Sequence, residues 1–366
     1  KETSLINTNN IKIIKEIEEL NKVSKYNFSK IKRFEEFEPE LVSHRDKIFF
    51  FDNKGALLKL NKDLKLIWKK NSYSKIEKKL NPIIYMTVSN KTLFIADTIS
   101  KLYAVDIDTG QIIWTKYNES PFSSKPKIYK DKIFVLDSQN KINCFSIVDG
   151  KKIWSVGTEN PFINSASKQS IVIKGNNIFF NNSLGDITAL NINTGVVVWQ
   201  VSTQKSKLYE NIVKFKTSSL VISDNSILFS NNKNGFYSID LKTGQVNWRQ
   251  KINTIITPVL VGNLIITITQ KGYLFYIDHN TGNIIKIINT GEQLVNKLKK
   301  NIDITGFSMT YKNLYLTTSN GRLVEYSIGS DNIESISKID NKRISKPFIL
   351  DENLFIVKDS SIIKFN

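Results

Sequence analysis

Residues 104–114 read AVDIDTGQIIW: an alternating strand, an Asp-Thr-Gly turn, and a second strand that closes on a tryptophan. The phrase, A-x-D-x-x-T-G-x-x-x-W, returns along the chain. Its fuller copies hold Ala104, Asp106, Thr109, Gly110 and Trp114; Cys144, Ser146, Asp149, Gly150 and Trp154; Ala189, Asn191, Thr194, Gly195 and Trp199; and Ser238, Asp240, Thr243, Gly244 and Trp248. Two copies are decayed. Tyr276, Asp278, Thr281 and Gly282 are followed by Lys286 where a tryptophan is expected, and the copy ending at Trp68 has Asp63 and Leu64 at its turn. A seventh, at 325–335, keeps only the spacing. All five tryptophans of the chain fall in this register, 40 to 49 residues apart, and a period of that size marks solenoids or propellers.

Fourteen residues before each tryptophan position stands another turn signal: Ser100, Asn140, Gly185, Asn234 with Gly235, Gly272 and Gly321. Glycine and asparagine tolerate the positive φ that tight hairpins require. Between the two turns lie period-2 runs such as 102–106, and before the first lies an apolar run such as 93–96. Each unit therefore holds several short strands. In the second unit they are expected at 82–88, 92–97, 101–106 and 111–116. Four antiparallel strands in each unit, with no helical period between them, make a β-propeller blade.

Units ending near 68, 114, 154, 199, 248, 286 and 335 make seven blades, and residues 346–350 with 353–365 supply three strands of an eighth. The fold predicted is all-β: an eight-bladed propeller of four-stranded antiparallel blades spanning 25–366. Its missing last strand is expected at 25–34, joining the C-terminal strands 344–366. Closure with strands from both termini removes the open sheet edges that invite aggregation. A seven-bladed ring with a loose C-terminal hairpin is the alternative. Residues 1–24 read as an N-terminal extension, partly helical or flexible, because Ile11, Ile13, Ile14, Ile17, Leu20 and Val23 fall near helical spacing.

The chain has 366 residues and a formal net charge of +18. Such a balance invites nucleic-acid or anionic-surface readings, yet the lysines are dispersed, and no platform of interleaved aromatic and basic residues stands out for stacking bases. No specific nucleic-acid partner is expected. A lone cysteine, Cys144, cannot form an intramolecular disulfide, and two histidines, His44 and His279, leave little material for a metal site or a His-based triad. No catalytic, cofactor-binding or metal-ligating residue is assigned. No apolar stretch is long enough to cross a bilayer as a helix. The first residue is lysine, so the chain is read as a mature or trimmed product, with secretion left open.

Regular repetition argues that Trp68, Trp114, Trp154, Trp199 and Trp248 pack blades together instead of stacking on a ligand. Gly110, Gly150, Gly195, Gly244 and Gly282 are the turns they dock on, where a glycine permits close approach. Blades whose tryptophan has decayed, at Lys286 and Ser335, are expected to pack more loosely.

These residues carry a family resemblance. The phrase resembles the tryptophan-docking motif of the PQQ-like propeller repeat, over most of residues 37–366. Quinoprotein dehydrogenases share that repeat, and a PQQ-dependent enzyme or another ligand-binding propeller is the alternative function. Such enzymes imply a disulfide of adjacent cysteines and a calcium site, for which this chain offers no counterpart. The size, the eight-blade count and the C-terminal NLFIVKDSSIIKF are more similar to the BamB family of barrel-assembly scaffolds. That resemblance implies a non-catalytic periplasmic platform with no cofactor, monomeric outside its complex, on the periplasmic face of the outer membrane. Its only membrane attachment would be a lipid anchor preceding Lys1. The partners implied are the POTRA region of the β-barrel insertase and nascent outer-membrane proteins. The corresponding contact residues are Phe162, Ile163 and Asn164 in one loop and Lys214, Phe215 and Lys216 in another. The long connections at 69–81, 200–214 and 287–303 hold Lys69, Lys70, Lys75, Lys78, Lys79, Lys205, Lys207, Lys297, Lys299 and Lys300, which predicts a basic face.

Overall fold

The computed structural model describes residues 17–366 other than 18–19, 32–33, 35–37, 53, 160–168, 204–214, 234 and 301. Eight four-stranded antiparallel sheets stand in a ring. In blade II the strands, lettered A to D from the channel outward, are Ile84–Ser89, Thr92–Asp97, Lys101–Asp106 and Ile112–Tyr117. The other blades occupy 42–71 (I), 127–157 (III), 171–202 (IV), 221–250 (V), 259–289 (VI) and 304–338 (VII), with 348–365 (VIII) completed from the N-terminus. The A strands of neighbouring blades touch around the central channel. The B strands are covered on both faces, so they read as continuous apolar runs such as Lys132–Leu136, KIFVL, rather than alternating ones. Core clusters form between blades. One joins Phe134, Leu136, Ile142 and Cys144 of blade III to Ile171, Ile178 and Phe180 of blade IV.

Blade VIII takes its D strand from Lys22–Asn27, antiparallel to Ser361–Phe365. The ring is closed as expected, but the strand begins three residues before the anticipated 25–34 and ends well short of it. Phe28, Ile31 and Phe34 lie beyond the strand. Phe28 and Ile31 donate their backbone N–H groups to Ser360 and Asp359, and all three side chains pack into the core shared by blades VIII and I. Lys22–Ser24 thus belong to the ring, and the helix anticipated within 1–24 falls largely outside the described residues.

The repeated phrase has a local cause at every position. Asp106 Oδ1 accepts from the N–H groups of Asp108 and Thr109 and from the Thr109 hydroxyl at 2.8 Å. These bonds, the Thr109 N–H first, hold the Asp106 carboxyl below its ordinary range. The turn then closes through Gly110 at φ +71°. The opening small residue has its own reason. Ala104, Cys144, Ala189 and Ser238 lie directly across from Trp114, Trp154, Trp199 and Trp248, and a bulge follows each pair.

Each indole reaches the next blade. Trp68, Trp114, Trp199 and Trp248 donate Nε1–H to the carbonyls of Ile107, Ile147, Leu241 and His279 at 2.9–3.2 Å. Trp154 has a buried Nε1 without a partner among the described residues. A Cβ added at Gly150, Gly244 or Gly282 would stand 2.5–2.7 Å from the facing ring, and at Gly110 or Gly195 3.0–3.3 Å. The residue two beyond the tryptophan adds a second contact, as the Lys70 stem does on Gly110 and the Lys116 stem on Gly150.

Three seams lack the indole, and each departs for a physical reason. Between blades VI and VII, Lys286 replaces the tryptophan while Asp331, at φ +54°, replaces the facing glycine, and the two form an ion pair. The helix at Thr290–Leu298 also fills that seam. Its Leu294 joins a core cluster spanning blades VI and VII, so this seam is closed differently rather than loosely. Ser335 faces blade VIII, whose C and D strands come from opposite ends of the chain and therefore have no connecting turn to dock on. Between blades VIII and I, Ser24 holds the tryptophan register, Leu64 stands at φ +62° in the glycine place, and Lys364 pairs with Asp63 at 2.9 Å.

Replacing Trp199 by alanine is expected to cost about 2–4 kcal/mol in denaturant unfolding. Gly244→Ala is expected to cost about 2 kcal/mol or more, since its Cβ meets the same ring and φ is +74°. Lys286→Ala, which breaks a half-exposed ion pair, should cost no more than about 1 kcal/mol. A loss at Lys286 equal to that at Trp199 would contradict this division of the seams.

Candidate functional site

In blades II, III, VI and VII the connection from the D strand to the next A strand folds back over the B–C turn of its own blade. Asn118 donates its N–H to Ser100, Thr158 to Asn140, Gly291 to Gly272 and Ile339 to Gly321, at 2.8–3.2 Å. These segments form one face of the ring. It carries two short helices, α1 (Lys75–Lys79) and α2 (Thr290–Leu298). Helix α1 is fixed by one carboxylate doing two jobs. Glu77 completes a capping box with Ser74, accepting the Ser74 N–H at 2.7 Å, and also takes the buried Lys101 ammonium at 3.1 Å. Lys101 lies against the rings of Tyr73 and Tyr103 and donates to the Ser72 carbonyl. Burial pushes the Glu77 carboxyl up, but the bonds from Ser74 and Lys101 outweigh it and hold it below its ordinary value. Helix α2 docks through Gln293, which donates to the Asp331 carbonyl at 3.1 Å, and Lys297, which donates to that of Ile333 at 2.7 Å.

The anticipated basic face is partly neutralised. Lys75, Lys79, Lys299 and Lys300 are exposed on it. Lys69 and Lys70, however, are strand residues of blade I, the first paired with Asp52 at 2.7 Å and the second packed on Gly110. The Lys78 stem covers Gly55. Lys205 and Lys207 lie outside the described residues. Carboxylates share the face, with Asp303 paired to Lys271 and Asp340 to Lys358.

Of the contact residues expected from the resemblance, Phe162, Ile163, Asn164 and Lys214 lie outside the described residues. Phe215 is corrected. It is only 1% exposed, and its ring sits 2.6 Å from where a Cβ would stand on Gly185, so it closes the blade IV turn and offers no surface to a partner. The contact joins positions thirty residues apart, which no local pattern announces. Lys216 is exposed, its backbone clasped to Asn232 in both directions.

A charged cluster at the channel mouth on this same face went unread in the sequence. Glu40 of blade I pairs with Lys125 of blade III and, at 4.0 Å, with Lys346 of blade VIII. Glu38 accepts from Arg343 at 3.2 Å and from the Lys346 N–H at 2.7 Å. Burial, with Glu40 nearby, pushes the Tyr85 phenol up to about 12. The legible signal was the repeated Ser-Lys-Pro at 124–126 and 345–347. Ser124 and Ser345 accept the N–H of Leu136 and Val357, and Pro126 and Pro347 offer their carbonyls to Thr87 and Ser308.

The residues do not fit the quinone site carried by part of the repeat family. Cys144 has no adjacent cysteine, and burial pushes its thiol up to about 12, leaving it inert. Among the described residues no three His, Cys, Asp or Glu side chains group to hold a metal ion.

Comparison with solved structures places the fold among propellers. The chain is similar to BamB from Moraxella catarrhalis, with a TM-score of 0.75 and 14% identity over 95% of this chain and 100% of that one. The computationally designed Ika8 protein gives 0.71 and 12% over 90% and 98%. A quinohemoprotein alcohol dehydrogenase from Comamonas testosteroni gives 0.68 and 10% over 98% and 78%. Compared sequence against sequence, no curated protein matches. The family model for outer membrane protein assembly factor BamB matches residues 53–288, the stretch that holds all five docking tryptophans and glycines. That match covers more than half of the chain, which therefore belongs to the BamB family of outer membrane protein assembly factors.

Proposed function

We propose that this protein is a non-catalytic scaffold on the periplasmic face of the outer membrane. On this reading it binds the POTRA region of the β-barrel insertase and assists insertion of nascent barrels, held to the membrane by a lipid anchor. The observation that carries the reading is the family match over 53–288. Two features of the chain support it. The seams make a stiff ring whose connections vary from blade to blade, which suits a platform for protein contacts. The exposed cations Lys75, Lys79, Lys216, Lys299 and Lys300 suit an acidic partner surface, since such charges accelerate encounter more than they add affinity.

The purified chain is expected to bind immobilised POTRA domains saturably, with an association rate that falls as salt rises. Lys216→Glu should weaken binding about two- to tenfold without changing the melting temperature. Phe215→Ala should instead lower stability by about 3 kcal/mol, as loss of a buried ring does. Absence of binding, together with normal barrel insertion in a deletion strain, would overturn the proposal. So would dye reduction with alcohols or sugars after loading with PQQ and calcium.

A further inference from the structure

The opposite face of the ring, formed by the A–B and C–D turns, holds a cavity of about 890 Å³ beneath blades III to VI. That size lies within the range of small-molecule sites. Its lining includes Tyr129, Lys174, Asp224, Ser226, Asn247 and His279.

The charges in the cavity cancel internally. Lys174 donates to the carbonyls of Ser223 and Asp224 at 2.7 and 2.8 Å and pairs with the Asp224 carboxylate at 3.3 Å, which occupies its ammonium within the protein. Burial lowers the His279 pKa below its ordinary value, so the ring is neutral at pH 7. His279 Nε2 lies 2.9 Å from the Ser226 hydroxyl, which lies 2.9 Å from that of Ser223, and both serines are buried. Among the lining residues Lys174 and Asp224 balance, and beside them the Lys130 ammonium, 5.4 Å from the Tyr129 ring centroid, is offset by the Asp278 carboxylate held by Asn263.

The cavity is rich instead in neutral donors and acceptors. Asn225, Asn247, Asn263 and Asn280 all line it. Asn247 spends one N–H on the buried Ser238 hydroxyl at 3.3 Å, and Asn263 one on Asp278 at 2.7 Å. A primary amide has two N–H donors and an acceptor oxygen, so one such bond leaves capacity for a ligand. Amides beside hydroxyls match a ligand whose every group both donates and accepts. The partly buried ring of Tyr129 adds an apolar surface for its C–H faces. We propose that this cavity binds a short neutral oligosaccharide.

The test uses the two histidines of the chain as probes. His279 lines the cavity, while His44 ends the A strand of blade I, outside it. N,N′-diacetylchitobiose and maltotriose are titrated separately into the full chain while the two imidazole C–H resonances are followed by NMR, with inorganic phosphate as the anionic comparison. At least one sugar is expected to move the His279 signal saturably and leave His44 still. The exposed-site variants Asn247→Ala and Asn225→Ala should each weaken that response about three- to tenfold, as loss of one hydrogen bond does. The proposal is overturned if neither sugar moves His279, if phosphate moves it and the sugars do not, or if both variants bind as the parent does.

Discussion

An indole laid flat on a glycine turn is the contact on which the ring depends. A propeller blade is a small twisted sheet with two apolar faces, and it is stable only when both are covered by neighbours. The tryptophan of one blade brings the largest apolar side chain to the rim of the next, and the next must present backbone with no Cβ. At Gly282 that Cβ would stand 2.5 Å from the ring of Trp248. The other features of the phrase serve this contact. A small residue lies opposite the indole, a bulge turns the strand, and an aspartate or asparagine locks the turn so that the glycine falls in place.

Because the contact has two halves in different blades, it fails or survives as a pair. Where Lys286 replaces tryptophan, Asp331 replaces the facing glycine, and an ion pair with a docked helix takes over. Where the C–D turn is absent in blade VIII, the opposing Ser335 has nothing to meet. The ring therefore has an arc stitched by aromatic stacking, from blade I to blade VI, and an arc stitched by charge, helix packing and the N-terminal strand. The family model matches within the first arc.

With the blades fixed, chemistry is left to the two faces. One carries the long connections, helices α1 and α2, and a ring of carboxylates and cations that closes on the channel mouth through Glu38 and Glu40. Each ion pair is neutral, so the net charge of +18 rests on the remaining cations, which are dispersed along the chain and not gathered in a single anion site. The other face holds the A–B and C–D turns, and the cavity beneath blades III to VI there is lined by four asparagines.

The sequence determined the architecture. Its period, its turn residues and the strands left over at both ends specified eight four-stranded blades, because each blade repeats the same strand-and-turn pattern even where the tryptophan is lost. It also indicated that both termini share one blade, though the joining strand lies at Lys22–Asn27 because Phe28 and Phe34 are needed in the core. Only the tertiary structure decided what single positions do. Phe215 reads as an accessible aromatic in a loop and is a plug over Gly185, since the turn it covers belongs to another stretch of chain. Lys286 reads as decay and is half of an ion pair whose other half is forty-five residues away. Glu40 meets Lys125 and Lys346 only when the ring closes. Periodicity records contacts that recur in every blade, whereas those that occur once leave no pattern along the chain.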